Sequence, residues 1–233
     1  MGINTTSFAN TPQAGDDFFT AAMTGLTEDS TGVTYLAVMA NDLGGAAKTL
    51  YSIDDGTTSI GVISPTDLLT QDTVRVESTS GDHSAHGANI WITADGKVGY
   101  DAATLSAAFK DQLQHLAAGQ FLTDTFTYAI RLGNGTLSWA TATVQIVGVN
   151  DAPVITGAVT GSALEDGSIV SLNALANASD VDIGAVLSVT NVPGTLPAGV
   201  TYDAATHTFA LDPSNAAFQH LAAGAHTTVT VSY

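Results

Sequence analysis

The chain repeats itself, and this constrains its fold more than any other feature. Leu26-Thr-Glu-Asp29 returns as Ala163-Leu-Glu-Asp166, Tyr100-Asp-Ala-Ala-Thr104 as Tyr202-Asp-Ala-Ala-Thr206, and His115-Leu-Ala-Ala-Gly119 as His220-Leu-Ala-Ala-Gly224. Between the copies stands Val149-Asn-Asp-Ala-Pro153, of which Asn10-Thr-Pro12 is a weaker echo. Pro153 has no amide hydrogen and holds residue 152 extended, so the chain is expected to pass straight from one unit into the next. Similar blocks in the same order imply one architecture built twice. A length of 233 residues is enough for two domains, each with a core of its own. The expected division is a loose N-terminus at 1–15, a first domain at 16–149, a linker at 150–153 and a second domain at 154–233.

Within each copy the pattern is that of strands and turns. Val33-Thr-Tyr-Leu-Ala-Val-Met39 mixes β-branched, aromatic and aliphatic residues, and further strands read at 60–63, 73–77 and 89–93. Asn41-Asp42, Gly44-Gly45 and Asp54-Asp55-Gly56 are turn signals, and Asp95-Gly96 predicts a hairpin between Ile90–Thr93 and Lys97–Tyr100. Leu105, Phe109, Leu113 and Leu116 recur near a period of 3.6, which predicts a helix from about Ala103 to Ala118 that stops at Gly119. An alternating strand at 124–130 follows, then a Gly133-Asn134-Gly135 turn and a closing strand at roughly 137–149.

Glu28 precedes Tyr100 by 72 positions and Glu165 precedes Tyr202 by 37, so the first copy is expected to carry about 35 extra residues within 55–95. Tyr128 and Tyr233 each lie nine residues after the matched glycines, so the second copy is expected to lack its closing strand. That leaves a chain cut short or disordered beyond this point, or a sheet edge open to another strand. The expected fold is all-β: two tandem sandwiches with one short helix in each.

Twenty-two acidic residues against five basic ones give a formal charge of -17, and no Lys or Arg follows Arg131. Such a field excludes nucleic acid and anionic membrane surfaces as partners and favours cations. Nineteen of the acids are Asp, a residue of turns, caps and oxygen-ligand metal sites rather than of helix surfaces. Asn150 and Asp151 put two oxygen-bearing side chains at the junction, where a hard cation would stiffen a hinge. Cysteine is absent, which rules out disulfides and thiolate sites and leaves the compartment open. No apolar run approaches a membrane span, and Met1–Phe8 lacks the basic and apolar regions of a cleaved signal.

Asp124-Thr-Phe-Thr-Tyr128, the Gly-Asn-Gly turn, Ala-Thr-Val and Gly148-Val-Asn-Asp-Ala-Pro153 resemble the VCBS repeats of large secreted bacterial adhesins. Ala178-Ser-Asp-Val-Asp182 and Leu196 to Phe209 resemble the cadherin-like repeat. With Met39-Ala-Asn-Asp-Leu-Gly-Gly45, the whole of about 26–233 is similar to rhizobial Rap-type adhering proteins. The resemblance implies cadherin-like Greek-key sandwiches that bind calcium. It implies export by a type I system without a cleaved N-terminal signal, partial association with the cell surface, and a role in adhesion and biofilm. The implied partner is an acidic exopolysaccharide or capsular polysaccharide, recognised as a calcium-dependent lectin does; a calcium-rigidified spacer or cell–cell adhesion module without glycan binding is the alternative.

By position the resemblance nominates Glu28 and Asp29, then Asn150 and Asp151, then Asp180 and Asp182 as calcium ligands. Glu165 and Asp166 repeat the first element, and Asp124 stands in for an absent Asp-Arg-Glu motif. The linker carries fewer acids than a cadherin's, and copy one has Asn41-Asp42 where copy two has Asp180-Val-Asp182. Taken alone, Asp180-Val-Asp182 reads equally as a solvated turn.

His83-Ser-Ala-His86 has transition-metal spacing, but no third ligand is near and Gly81 and Gly87 flank it, so it reads as an insertion loop. His115 and His220 are expected at helix C-termini. Trp91, Trp139, Tyr35, Tyr51, Tyr100 and Tyr202 alternate with polar residues in strands and read as core rather than as sugar platforms. The insertion is the place where long loops on a rigid scaffold would carry a ligand surface. No Gly-x-Ser-x-Gly elbow, phosphate loop or His-Glu-x-x-His is present, and the acids fall at turns, so the expectation is a binding protein rather than an enzyme.

Overall fold

The computed structural model describes residues 13–54, 68–72 and 81–233. The strands expected at 60–63 and 73–77, the Asp55-Gly56 turn, most of the insertion and the Asn10–Pro12 echo lie outside these residues. The chain divides into two compact units, Met1–Asn150 and Asp151–Tyr233. It is dominated by β-sheet, and no helix among the described residues is long and apolar enough to cross a membrane.

The described residues of unit one form two four-stranded sheets. In the first, β1 (Asp17–Phe19), β8 (Leu137–Val147), β7 (Phe121–Arg131) and β3 (Thr49–Asp54) lie in that order; the second runs β2 (Val33–Leu36), β6 (Val98–Asp101), β5 (Asn89–Ile92) and β4 (Asp82–His83). Alternation along β7 and β8 puts Phe126, Tyr128, Ile130, Ala142, Val144 and Ile146 inside, where they meet Leu36, Ile90, Ile92, Val98 and Tyr100 from the other sheet in one buried cluster. Strand β1 joins β8 in parallel, so the start of the unit is laced to its last strand. A short helix, α1 (Ala21–Thr24), which the sequence did not suggest, ends at Gly25 in the left-handed region.

The Asp95-Gly96 hairpin forms with Ile92 opposite Val98 and Gly96 at φ 75°. The single helix predicted over 103–118 is instead two pieces, a 3-10 turn at Ala102–Thr104 and α2 (Ala107–Leu113). Asp101 accepts from the amide of Ala103 and Ser106 from that of Phe109, so each starts a new turn while Leu105 between them stays extended. The periodicity was nonetheless meaningful, because Leu105, Phe109, Leu113 and Leu116 are all buried.

Unit two has a three-stranded sheet in the order β10 (Val170–Asn173), β13 (Thr208–Leu211), β12 (Val200–Asp203), and a separate pair of β9 (Val154–Ile155) with β11 (Ala178–Ser179). Its described residues form no α-helix. Pro213 lacks an amide donor, and the side chains of Asp212 and Asn215 capture the amides of Ser214 and Ala217 in tight turns where the repeat predicted a helix. Tyr202, Phe209 and Tyr233 stack in a row, with ring centroids 4.6 and 5.1 Å apart. Beside them lies an apolar groove of about 670 Å³, lined by Ile155, Leu172, Leu187 and Val229 among others.

In unit one β6 lies between β2 and β5; in unit two β13 lies between β10 and β12, with Val33 facing Asp101 and Val170 facing Leu211. These pairings span 68 and 41 positions. The two Tyr-Asp-Ala-Ala-Thr blocks therefore occupy different places: the first closes the inner strand β6, and the second closes β12 and makes the turn into β13.

One glycine fixes how unit one closes. A Cβ on Gly148 would lie 2.5 Å from Leu116 Cβ and 2.6 Å from Leu116 O, while its amide donates to Gln120 O. Main chain cannot yield as a flexible side chain would. Gly148→Ala is expected to destabilise unit one by about 1–3 kcal/mol, measured by urea unfolding followed through Trp91 fluorescence.

Candidate functional site

The residues nominated by the resemblance fall in three places. In unit one, Glu28 is buried; its amide donates to Val147 O, and its Oε1 accepts from the amide of Val149 at 3.0 Å. Thr27 bridges Val147 in parallel beside it. Glu28 thus holds the end of β8 just before the boundary. Asp29 and Asn150 are exposed.

In unit two, Asp151, Asp180 and Asp182 come together. The amide of Asp151 donates to Asp182 Oδ2 at 3.0 Å, and the amide of Asp182 donates to Asp180 Oδ1 at 3.0 Å. Asp182 is only 7% exposed, and its Oδ1 is buried with no hydrogen-bond partner. A carboxylate oxygen removed from water and given no donor is costly, and a cation is the usual remedy. Among the described residues no three Asp, Glu or His side chains gather at one point, so an ion here would also draw on main-chain or amide oxygens. Glu165 is half-buried and Asp166 exposed, beside the turn that Gly167 closes on Leu164 O.

Asp124 is the exception, because it is already spoken for. It lies fully buried on β7, where Oδ1 accepts from the amides of His86 and Thr125 and lies 3.0 Å from His86 Nδ1, while Oδ2 accepts from the Tyr100 hydroxyl at 2.7 Å. Both oxygens are engaged within the protein. Burial, and then the charge of Asp124, raise the Tyr100 hydroxyl far above its ordinary range, so the phenol keeps its proton and donates it. His86 stacks on Phe109 at 4.0 Å, and its main-chain oxygen accepts from Ser106. The His83-to-His86 segment is therefore anchored at its far end by this network. The sequence hint was the alternation of β7, which places Asp124 on the same inward face as Phe126 and Tyr128.

His115 faces Asp111 O at 2.6 Å just beyond α2, and His220 is exposed among turns. Trp91 and Tyr100 are core, whereas Trp139 and Tyr35 are 53% and 59% exposed.

A further acidic group lies on unit one near β1. Asp17 is raised to about 6 by burial first, a rise that the Tyr128 hydrogen bond opposes and that neighbouring Asp42 and Asp16 add to. Its folded value exceeds its unfolded one, so folding favours the protonated acid. In chelator, stability is therefore expected to fall as pH rises from about 4 through about 6. Asp17→Asn should flatten that slope in pH-resolved urea titrations.

No family model matches the sequence, and no curated protein matches it. Among solved structures, the crystal structure of murine CEACAM1b matches over 87% of this chain and 83% of that one, at 13% identity and a TM-score of 0.31. A likeness that faint carries no argument about function.

The Asp124 network gives a direct test. Tyr100→Phe removes one donor and is expected to cost about 1–3 kcal/mol. Asp124→Ala strands the phenol and two amides and is expected to cost more than Tyr100→Phe, both read by chemical unfolding.

Proposed function

We propose that the chain is an extracellular, calcium-binding adhesive protein made of tandem cadherin-like sandwiches, and a lectin for acidic exopolysaccharide or capsular polysaccharide. The observation that carries the calcium reading is Asp182, a buried carboxylate with one unpartnered oxygen, next to Asp180 and to Asp151 at the start of its unit. The ligands in unit two would be Asp182, Asp180 and Asp151. Glu28, Asn150, Glu165 and the exposed Asp29 and Asp166 are secondary candidates.

Calcium, where bound, offsets negative charge and accepts several oxygens at flexible geometry. The chain's own residues do the positioning. The Asp151 amide fixes Asp182 Oδ2, and the Asp180 side chain fixes the amide of Asp182, so the free Oδ1 is held in place. An acidic protein of charge -17 and an acidic glycan repel each other, and divalent cations relieve that repulsion. Exposed Trp139 and Tyr35 offer aromatic faces for sugar rings. Secretion and a role in biofilm belong to the same reading through the resemblance, and catalysis has no part in it.

The alternative is a calcium-rigidified spacer or cell–cell adhesion module without glycan binding. In that case scattering would detect stiffening with calcium, and no glycan would bind.

Calcium at a hundredfold over its Kd is expected to stabilise by about 2.7 kcal/mol per site, a rise in Tm on the order of 10 °C for a unit this small. Asp180→Ala/Asp182→Ala should weaken that response. Pull-down on acidic bacterial exopolysaccharide should succeed in millimolar calcium and fail in chelator; equal capture in both would overturn the calcium-bridged lectin.

A further inference from the structure

Unit one holds a second place where oxygens outnumber the protons available to them. The Tyr128 hydroxyl lies 2.9 Å from Gly15 O, Asp17 Oδ2 and Val38 O, and 3.1 Å from Asp42 Oδ1. A phenol has one proton and can satisfy one of these four; the rest face its lone pairs. The Gly15 amide supplies one more, to Asp42 Oδ1 at 2.8 Å. Asp42 is only 7% exposed, yet its Oδ2 is buried and has no partner. Lys48 is close, but its ammonium donates to the main-chain oxygens of Met39 and Asp42, not to a carboxylate. Among the described residues the ion pairs are His86–Asp124 and Lys97–Asp95, so none neutralises Asp17 or Asp42.

We infer that this cluster is a cation site internal to unit one, taking a hard divalent ion of calcium's size through Asp17, Asp42 and the carbonyl oxygens of Gly15 and Val38 beside the Tyr128 hydroxyl. The donor set is all oxygen, with no nitrogen or sulfur, which selects a hard cation. Two carboxylates match a double charge, and the two carbonyls add neutral oxygens of the kind calcium accepts. Magnesium retains several waters and demands octahedral geometry, which a donor set made mostly of protein oxygens suits poorly.

The three segments involved explain what the ion would do. Gly15 and Asp17 belong to the edge strand β1 and its approach, Val38 and Asp42 to the chain following β2, and Tyr128 to β7. An ion there ties the edge strand to both sheets. None of these residues belongs to the Asp151–Asp182 group, so this site stands or falls independently of the proposed function.

The test counts calcium by equilibrium dialysis at millimolar concentration on the full chain, in the Asp180→Ala/Asp182→Ala background. Adding Asp42→Asn is expected to remove one bound ion per chain, and Asp17→Asn, a milder change nearer the surface, to remove or greatly weaken the same ion. In chelator Asp42→Asn should be at least as stable as its parent, because an amide relieves the charge while keeping an oxygen for the Gly15 amide. Calcium should then raise the Tm of the parent more than that of the variant. Equal ion counts with and without Asp42→Asn overturn the site and assign the cluster to shared protons. A variant destabilised equally with and without calcium overturns it too, by making Asp42 a purely structural acceptor. A preference for magnesium over calcium would overturn the ion assigned.

Discussion

Carboxylates withdrawn from water, in a chain with few basic side chains to answer them, set the terms for this protein. With five Lys and Arg against twenty-two acids, buried ion pairs are not a general solution. Asp124 meets the problem with donors: two amides, a phenol and a histidine converge on it at the centre of unit one. Asp42 and Asp182 do not, and each keeps a buried oxygen without a partner. The contrast separates a carboxylate whose donors come from within the protein from one left with a buried oxygen that has none.

The fold makes that contrast possible. The long β7–β8 hairpin of unit one drives Phe126, Tyr128 and Ile130 inward together with Asp124, so the network and the core form on one face of one strand. Asp42 and Asp182 instead lie in the chain between strands, Asp42 after β2 and Asp182 after β11. Each accepts an amide from an earlier segment of its unit, Gly15 in one and Asp151 in the other.

Much of the architecture was legible beforehand. Alternation marked β7 and β8, Asp95-Gly96 marked the hairpin, and the 3.6 period marked the buried face of 105–116 even though Ser106 and Asp101 break the helix in two. Matching blocks misled where a short motif recurred on different strands, since Tyr-Asp-Ala-Ala-Thr suits both the end of an inner strand and a turn. The candidate site was legible in part. Asp151, Asp180 and Asp182 are brought together, but nothing in residue types alone distinguishes a carboxylate capturing its neighbours' amides from one facing a void. Asp124 was read as a ligand because its burial by a tyrosine 24 positions earlier is a tertiary fact. The Tyr128 cluster escaped notice because its four oxygens, two of them main chain, come from two segments that meet a hydroxyl from a third.

The most direct measurement is anomalous scattering from crystals grown in millimolar calcium or soaked with a lanthanide that replaces it. The account predicts ordered anomalous density beside Asp182 and, separately, beside Asp42. Structures in which both carboxylates are met only by water or by shared protons, with no anomalous signal at either, would contradict it.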